Sequence, residues 1–113
     1  MSAPEIAGDD LVRVLAALAS PHRLRVLATL ARERNYVSRL ARELGISRAL
    51  LQVHLRKLEA AGLVSAHLEF SEDGKAMKFY EVRPFMFRIT PAALATAAET
   101  LTGSDGSDEG PRS

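Results

Sequence analysis

Apolar residues recur every three or four positions through the first half of the chain, then alternate with polar ones in two short runs. Leu11, Val14, Leu15 and Leu18 share one face of a first helix, with Asp9 or Asp10 placed to cap it. Ser20-Pro21 opens a second helix: a hydroxyl cap, then proline at the first helical position, where its missing N–H costs nothing. Leu24, Leu27 and Leu30 give that helix its core face, and residues 32–35 end it. In the stretch 36–64, Val37, Leu40, Ala41 and Leu44 line a short helix. Gly45 follows, a residue that adopts the left-handed conformation cheaply, and Ile46 plugs the turn. Ser47 caps a further helix in which Leu51, Leu55 and Leu58 form the buried stripe, while Arg48, Gln52, Arg56 and Lys57 line the outer face. Two short helices around a glycine turn, the second polar and basic outside, form a helix-turn-helix unit that can lay its second helix in a DNA major groove.

The alternating runs come next. Residues 63–70 predict a strand, Ser71-Glu72-Asp73-Gly74 a turn with the strong Asp-Gly signal, and 76–82 the return strand. Pro84 interrupts pairing because it has no N–H to donate, and 85–89 resumes extended structure. Thr90-Pro91 repeats the cap-plus-proline opening for an Ala-rich last helix over 91–101. The pattern predicts a loosely ordered start (1–8), one domain (9–102) and a disordered tail (103–113) rich in Gly, Ser and Asp. The fold class is α+β, mostly helical: a winged helix-turn-helix with flanking N- and C-terminal helices.

Charge sharpens this picture. Residues 20–60 hold nine Lys or Arg against three Glu; of the chain's 15 basic and 14 acidic residues, that leaves six and eleven elsewhere. A net charge of +1 therefore hides a basic concentration on the helix-turn-helix, the footprint that nucleic-acid binding requires. Cysteine is absent, so neither a disulfide framework nor a thiolate switch is available. No apolar run is long enough to span a bilayer and no secretory signal opens the chain, which leaves a cytoplasmic protein with no membrane partner as the expectation. Catalysis finds no support: Ser and Thr lack a His-and-acid partner, and there is neither a phosphate-binding glycine loop nor a paired-carboxylate motif. Five of the six aromatics fall between Phe70 and Phe87, as a packed sheet face or as an effector pocket, with packing the commoner outcome.

Four landmarks carry a family resemblance: L-A-S-P-H-R-L-R-V-L from Leu18; L-A-R-E-L-G-I-S from Leu40; H-L-R-K-L from His54; and E-A-A-G-L-V from Glu59. In this order and spacing the segment from Leu15 to Leu68 resembles the DNA-binding domain of ArsR-type winged-helix repressors; MarR-type and PadR-type regulators share only the looser pattern. The resemblance implies a homodimeric transcriptional regulator, a repressor, that binds a double-stranded operator. Matched to the family pattern, Ser47, Arg48, Ala49, Gln52 and Val53 occupy groove-facing positions. Arg48 suits a bidentate pair with guanine and Gln52 one with adenine. Val53, where many relatives are polar or basic, can touch a thymine methyl or pack inside. His54 matches a His common in the family and serves either a phosphate or the helix's own structure. Arg39, Arg42, Arg56 and Lys57 are phosphate candidates, with Lys75 and Lys78 on the wing; Glu72 and Asp73 at its tip repel phosphate.

Leu11, Val14, Leu15 and Leu18 of the first helix and Leu94, Ala97, Ala98 and Leu101 of the last exceed what a small winged-helix core covers, and are expected to pair across a two-fold axis. Many relatives hold metals through thiols in the helix-turn-helix or Asp and His in the last helix. Here that last helix carries one acid, Glu99, and no His, while His22, His54 and His67 show no ligand spacing. The expectation is no metal site, no cofactor and an unknown effector. The rival reading is a winged-helix module whose basic helix meets an acidic protein.

Overall fold

The computed structural model describes residues 6–102. The expected loose start and disordered tail lie largely outside them. Five helices and three short strands follow in the order α1 (Gly8–Leu18), α2 (Pro21–Arg32), β1 (Asn35–Tyr36), α3 (Val37–Leu44), α4 (Arg48–Ala60), β2 (Val64–Phe70), β3 (Ala76–Val82) and α5 (Pro91–Ala98). The architecture is α+β and mostly helical, a winged helix-turn-helix. The chain forms two compact units, one of them Val14–Phe85 and the other the residues before and after it.

In the unit Val14–Phe85, the polar signals start and stop the helices as their chemistry demands. The Ser20 hydroxyl accepts from the Arg23 amide, with Pro21 behind it. Ser47 does the same for Leu50 at 3.0 Å. Gly45 closes α3 at φ 70°, and its reversal lets the Ile46 amide reach back to the Ala41 carbonyl at 3.1 Å. Gly62 ends α4 likewise at φ 78°, and the Leu63 amide reaches back to the Leu58 carbonyl at 2.9 Å. Between these ends, Val26, Leu27 and Leu30 of α2, Val37, Leu40 and Ala41 of α3, and Leu51, Leu55 and Leu58 of α4 are buried together with Leu63, Val64 and Tyr80. Leu24, expected in the core, is exposed instead: Val26 takes the inward place.

The sheet is antiparallel in the order β1-β3-β2. Val64 lies opposite Val82 and Phe70 opposite Ala76, a hairpin register set by the Ser71–Gly74 turn. β1 is an element the periodicity did not announce, pairing Asn35 with Tyr80 and Tyr36 with Phe79. Residues 85–89, expected to be extended, form no strand in the structure. The aromatic run is likewise not one packed face: Tyr80 is buried and Phe79 meets Tyr36 edge-on at 5.5 Å, but Phe70 is 71% exposed.

In the other unit, the start of α1 meets the end of α5. The Gly8 amide donates to the Thr100 hydroxyl at 2.6 Å, and Asp9 accepts from the Thr102 amide and hydroxyl. A Cβ at Gly8 would fall 2.2 Å from the Ala97 carbonyl oxygen, so only glycine permits this approach. These hydrogen bonds hold the Asp9 carboxyl below its ordinary value.

Candidate nucleic-acid interface

The three-residue turn Gly45-Ile46-Ser47 brings α4 out of α3 abruptly, and the Leu51, Leu55 and Leu58 stripe pins α4 from behind. What remains outward is the polar face. Ser47, Arg48, Ala49, Val53, Arg56 and Lys57 are exposed and Gln52 is half-buried, so seven of the residues singled out from the sequence share one accessible surface. Val53 belongs to that surface and not to the core, with 39% of its area exposed. Leu50, 40% exposed, adds a second apolar side chain there.

Ion pairing separates the cations. Arg39 is within 3.3 Å of Glu43 and 4.0 Å of Glu33. Arg34 chelates Glu69 through both terminal nitrogens, one of them also 3.0 Å from His67 Nε2. That pairing raises the Arg34 pKa and lowers that of Glu69. Arg34 also lies over the Phe79 ring at 4.6 Å. Among the described residues no carboxylate pairs with Arg48, Arg56 or Lys57. The outer face of α4 thus keeps its positive charge uncompensated, which is what attracts a polyanion and releases its counterions.

The wing carries a mixed signal. Lys75 and Lys78 are exposed, Lys78 with its ammonium 5.6 Å from the centre of the Tyr80 ring. The Ser71 hydroxyl donates to Asp73 and holds its carboxyl below the ordinary value, so the tip keeps its negative charge near neutral pH. Leu68 and Phe70 are exposed on β2 as well.

His54 departs from the surface reading. The residue is 8% exposed, its ring stacked on His22 at 5.5 Å, with Nδ1 3.3 Å from Arg23 Nη1. Burial first, then the positive charge of Arg23, His22 and Lys57, lowers its pKa below 6.5. It faces inward rather than toward a phosphate. The signal was present in the sequence: position 54 lies three after Leu51 and four before Leu58, on the buried stripe. Arg23 was not singled out, because its partners are set by packing and not by spacing. The Arg34–Glu69 pair joins residues 35 apart with no local pattern to announce it.

Of the residues expected at a dimer contact, Leu11, Val14 and Ala97 are already buried within the chain and Leu18 partly so. Leu15, Leu94, Ala98 and Leu101 are exposed. No helix of the described residues is long and apolar enough to cross a membrane, and no three His, Asp or Glu among them gather in a metal-binding group.

Residues 20–66 match the family model of bacterial regulatory proteins of the arsR family. An HTH-type transcriptional regulator of Methanocaldococcus jannaschii is 38% identical over 80 residues, which are 71% of this chain and 83% of that one. Among solved structures, an ArsR-like transcriptional regulator from Rhodococcus superposes with a TM-score of 0.57 at 29% identity, over 81% of this chain and 76% of that one. The homodimeric winged helix-turn-helix DNA-binding domain of a possible ArsR-family regulator from Mycobacterium bovis gives 0.59 at 25% identity, over 80% and 74%.

Proposed function

The chain belongs to the arsR family of bacterial regulatory proteins, and from that premise we propose that it is a homodimeric repressor that occupies an operator with one α4 in each of two major grooves. It is a transcriptional regulator with a winged helix-turn-helix DNA-binding fold, and not an enzyme. The observation that carries the finer reading is the outer face of α4, where Arg48, Arg56 and Lys57 stand without an acidic partner around Gln52 and Val53.

Each side chain has a task that its chemistry permits. The Arg48 guanidinium matches O6 and N7 of guanine, and the Gln52 amide matches N6 and N7 of adenine. Val53 offers a methyl-sized contact to thymine. Arg56 and Lys57 neutralise phosphates and fix the register of the helix without reading sequence. Lys75 and Lys78 give the wing a backbone contact that Glu72 and Asp73 weaken. Two copies related by a two-fold axis would read half-sites about 10 base pairs apart, one helical turn. The absence of Cys, and Glu99 as the lone acid at the end of α5, favour a signal other than metal.

The test is to recover DNA bound to the protein in cells, sequence it, and repeat binding with the enriched fragments over a range of salt. Enrichment of an imperfect palindrome, with affinity falling steeply as salt rises, is expected. Retention of acidic proteins with no fragment enriched would favour a protein-interaction module instead.

A further inference from the structure

Arg23, in the first turn of α2, reaches two other elements. Its Nε donates to the Ala17 carbonyl at 2.7 Å and its Nη2 to the Ala16 carbonyl at 3.2 Å, both in the last turn of α1. Its Nη1 lies 3.3 Å from Nδ1 of His54, in the middle of α4. α1 has no basic residue of its own in its last turn, so Arg23 supplies the cation that its terminal carbonyls favour.

A guanidinium has only donors, so Nδ1 of His54 must accept. The ring is then the neutral tautomer with its proton on Nε2, an atom that is buried and has no hydrogen-bond partner. The charges acting on the ring come from Arg23 and His22 of α2 and from Lys57 of its own helix; α3 and β2, also packed on α4, add none. Every such neighbour is a cation or can become one, and none is an acid. A second proton would sit on Nδ1 and face the Arg23 donors with like charge.

We propose that Arg23 is a positioning residue for DNA reading: through neutral His54 it fixes the seating of α4 on the end of α1 and the start of α2. This rests on α4 being the DNA-reading helix. Two consequences follow from the geometry. A shift of the end of α1, one of the two helices offered above as a dimer contact, is passed to α4 by a planar fork that cannot follow both ends at once. Acid breaks the link at His54, so operator affinity falls as pH drops below the ordinary histidine value of 6.5. The direction is diagnostic, because protonating surface histidines strengthens binding to a polyanion.

The test uses the full chain as wild type, Arg23→Gln and Arg23→Lys. The His54 ring is followed by NMR, and binding to an enriched duplex is measured at constant ionic strength, from about pH 8 to about pH 5, the histidine range. Wild type should show the Nε2–H tautomer, a titration below 6.5 and a loss of affinity through that titration. Arg23→Gln removes the cation, so the His54 titration and the pH of DNA release should both rise by the same shift. At neutral pH its affinity should fall about tenfold, the value of one charge-assisted hydrogen bond. Arg23→Lys keeps the charge and loses the fork: the low titration should survive while the affinity loss remains. It also carries the test if Arg23→Gln does not fold. A proton on Nδ1 at neutral pH, a pH profile that Arg23→Gln does not move, or unchanged operator affinity in Arg23→Lys would overturn the proposal. Failure of the DNA reading itself looks different: wild type retains no duplex at any pH, while the ring titration still responds to Arg23.

Discussion

Arg48 and Gln52 differ from Arg56 and Lys57 in what they can recognise, although all four share the outer face of α4. A fork or a planar amide near the start of the helix can meet two atoms of one base edge. A cation further along meets phosphate oxygens, which are alike in every sequence. Arg48→Ala and Gln52→Ala should therefore weaken operator binding by roughly 1–3 kcal/mol each and relax preference at particular base pairs. Arg56→Ala and Lys57→Ala should weaken binding to all duplexes and reduce the slope of affinity against salt by about one each. Titrations against the operator and single-base variants of it, at several salt concentrations, separate the two patterns. Unchanged base preference in Arg48→Ala and Gln52→Ala would mean that α4 enters the groove in another orientation. The sequence made this face legible because helical periodicity assigns exposure residue by residue. The same periodicity holds for His54, whose polar ring argued for the surface while its position on the Leu51–Leu58 stripe argued for the interior. The structure sides with position.

The junction between α3 and α4 is a matter of elements, because it sets the angle at which α4 is presented. Gly45 has φ 70° and open space around the place a Cβ would occupy. Gly45→Ala should thus lose stability through backbone conformation alone, about 1 kcal/mol. Ser47→Ala leaves the Leu50 amide without its acceptor and should cost about 1 kcal/mol, whereas Ser47→Gly should cost only a few tenths. Urea unfolding of the three variants checks both numbers; a Ser47→Ala variant as stable as wild type would show that the hydroxyl cap does not matter. Both devices were readable in advance since they depend on residues a few positions apart. The element-level misreadings have the opposite cause. β1 is two residues long and exists only because Asn35 and Tyr36 meet β3 from some 45 positions away. Residues 85–89 look extended locally yet form no strand, because a strand is defined by its partner rather than by its own composition. Leu24 fits the spacing of the α2 core face, but a window of apolar residues wider than the core leaves one of them outside.

At the scale of the whole molecule, the charge partition and the family resemblance marked the winged helix-turn-helix fold that the structure and the comparisons bear out. How copies of the chain associate depends on surfaces that no single-chain pattern specifies. The same holds for a site shared between subunits, which is why metal dependence needs a direct measurement. Calorimetry with zinc or cadmium should give no stoichiometric binding, and either metal should leave DNA affinity unchanged; tight binding coupled to DNA release would point to ligands assembled from two chains. Dimerisation has a sharper handle. Leu15, Leu94, Ala98 and Leu101 remain exposed on or beside α1 and α5, whereas Leu11, Val14 and Ala97 are covered already, so the exposed set is where a partner gains most by burying surface. The wild-type chain should sediment as a dimer at micromolar concentration. Leu15→Glu with Leu94→Glu should give folded monomers, since both positions are solvent-facing in the single chain and a charge there harms only association. Such monomers keep every α4 contact to one half-site but lose the linkage that makes binding of the second half-site intramolecular, so their operator affinity should fall about 10²- to 10⁴-fold. A wild-type monomer at micromolar concentration, or a double variant that stays dimeric, would move the two-fold axis away from these helices. The exposed wing residues Leu68 and Phe70 would then be the next surface to vary.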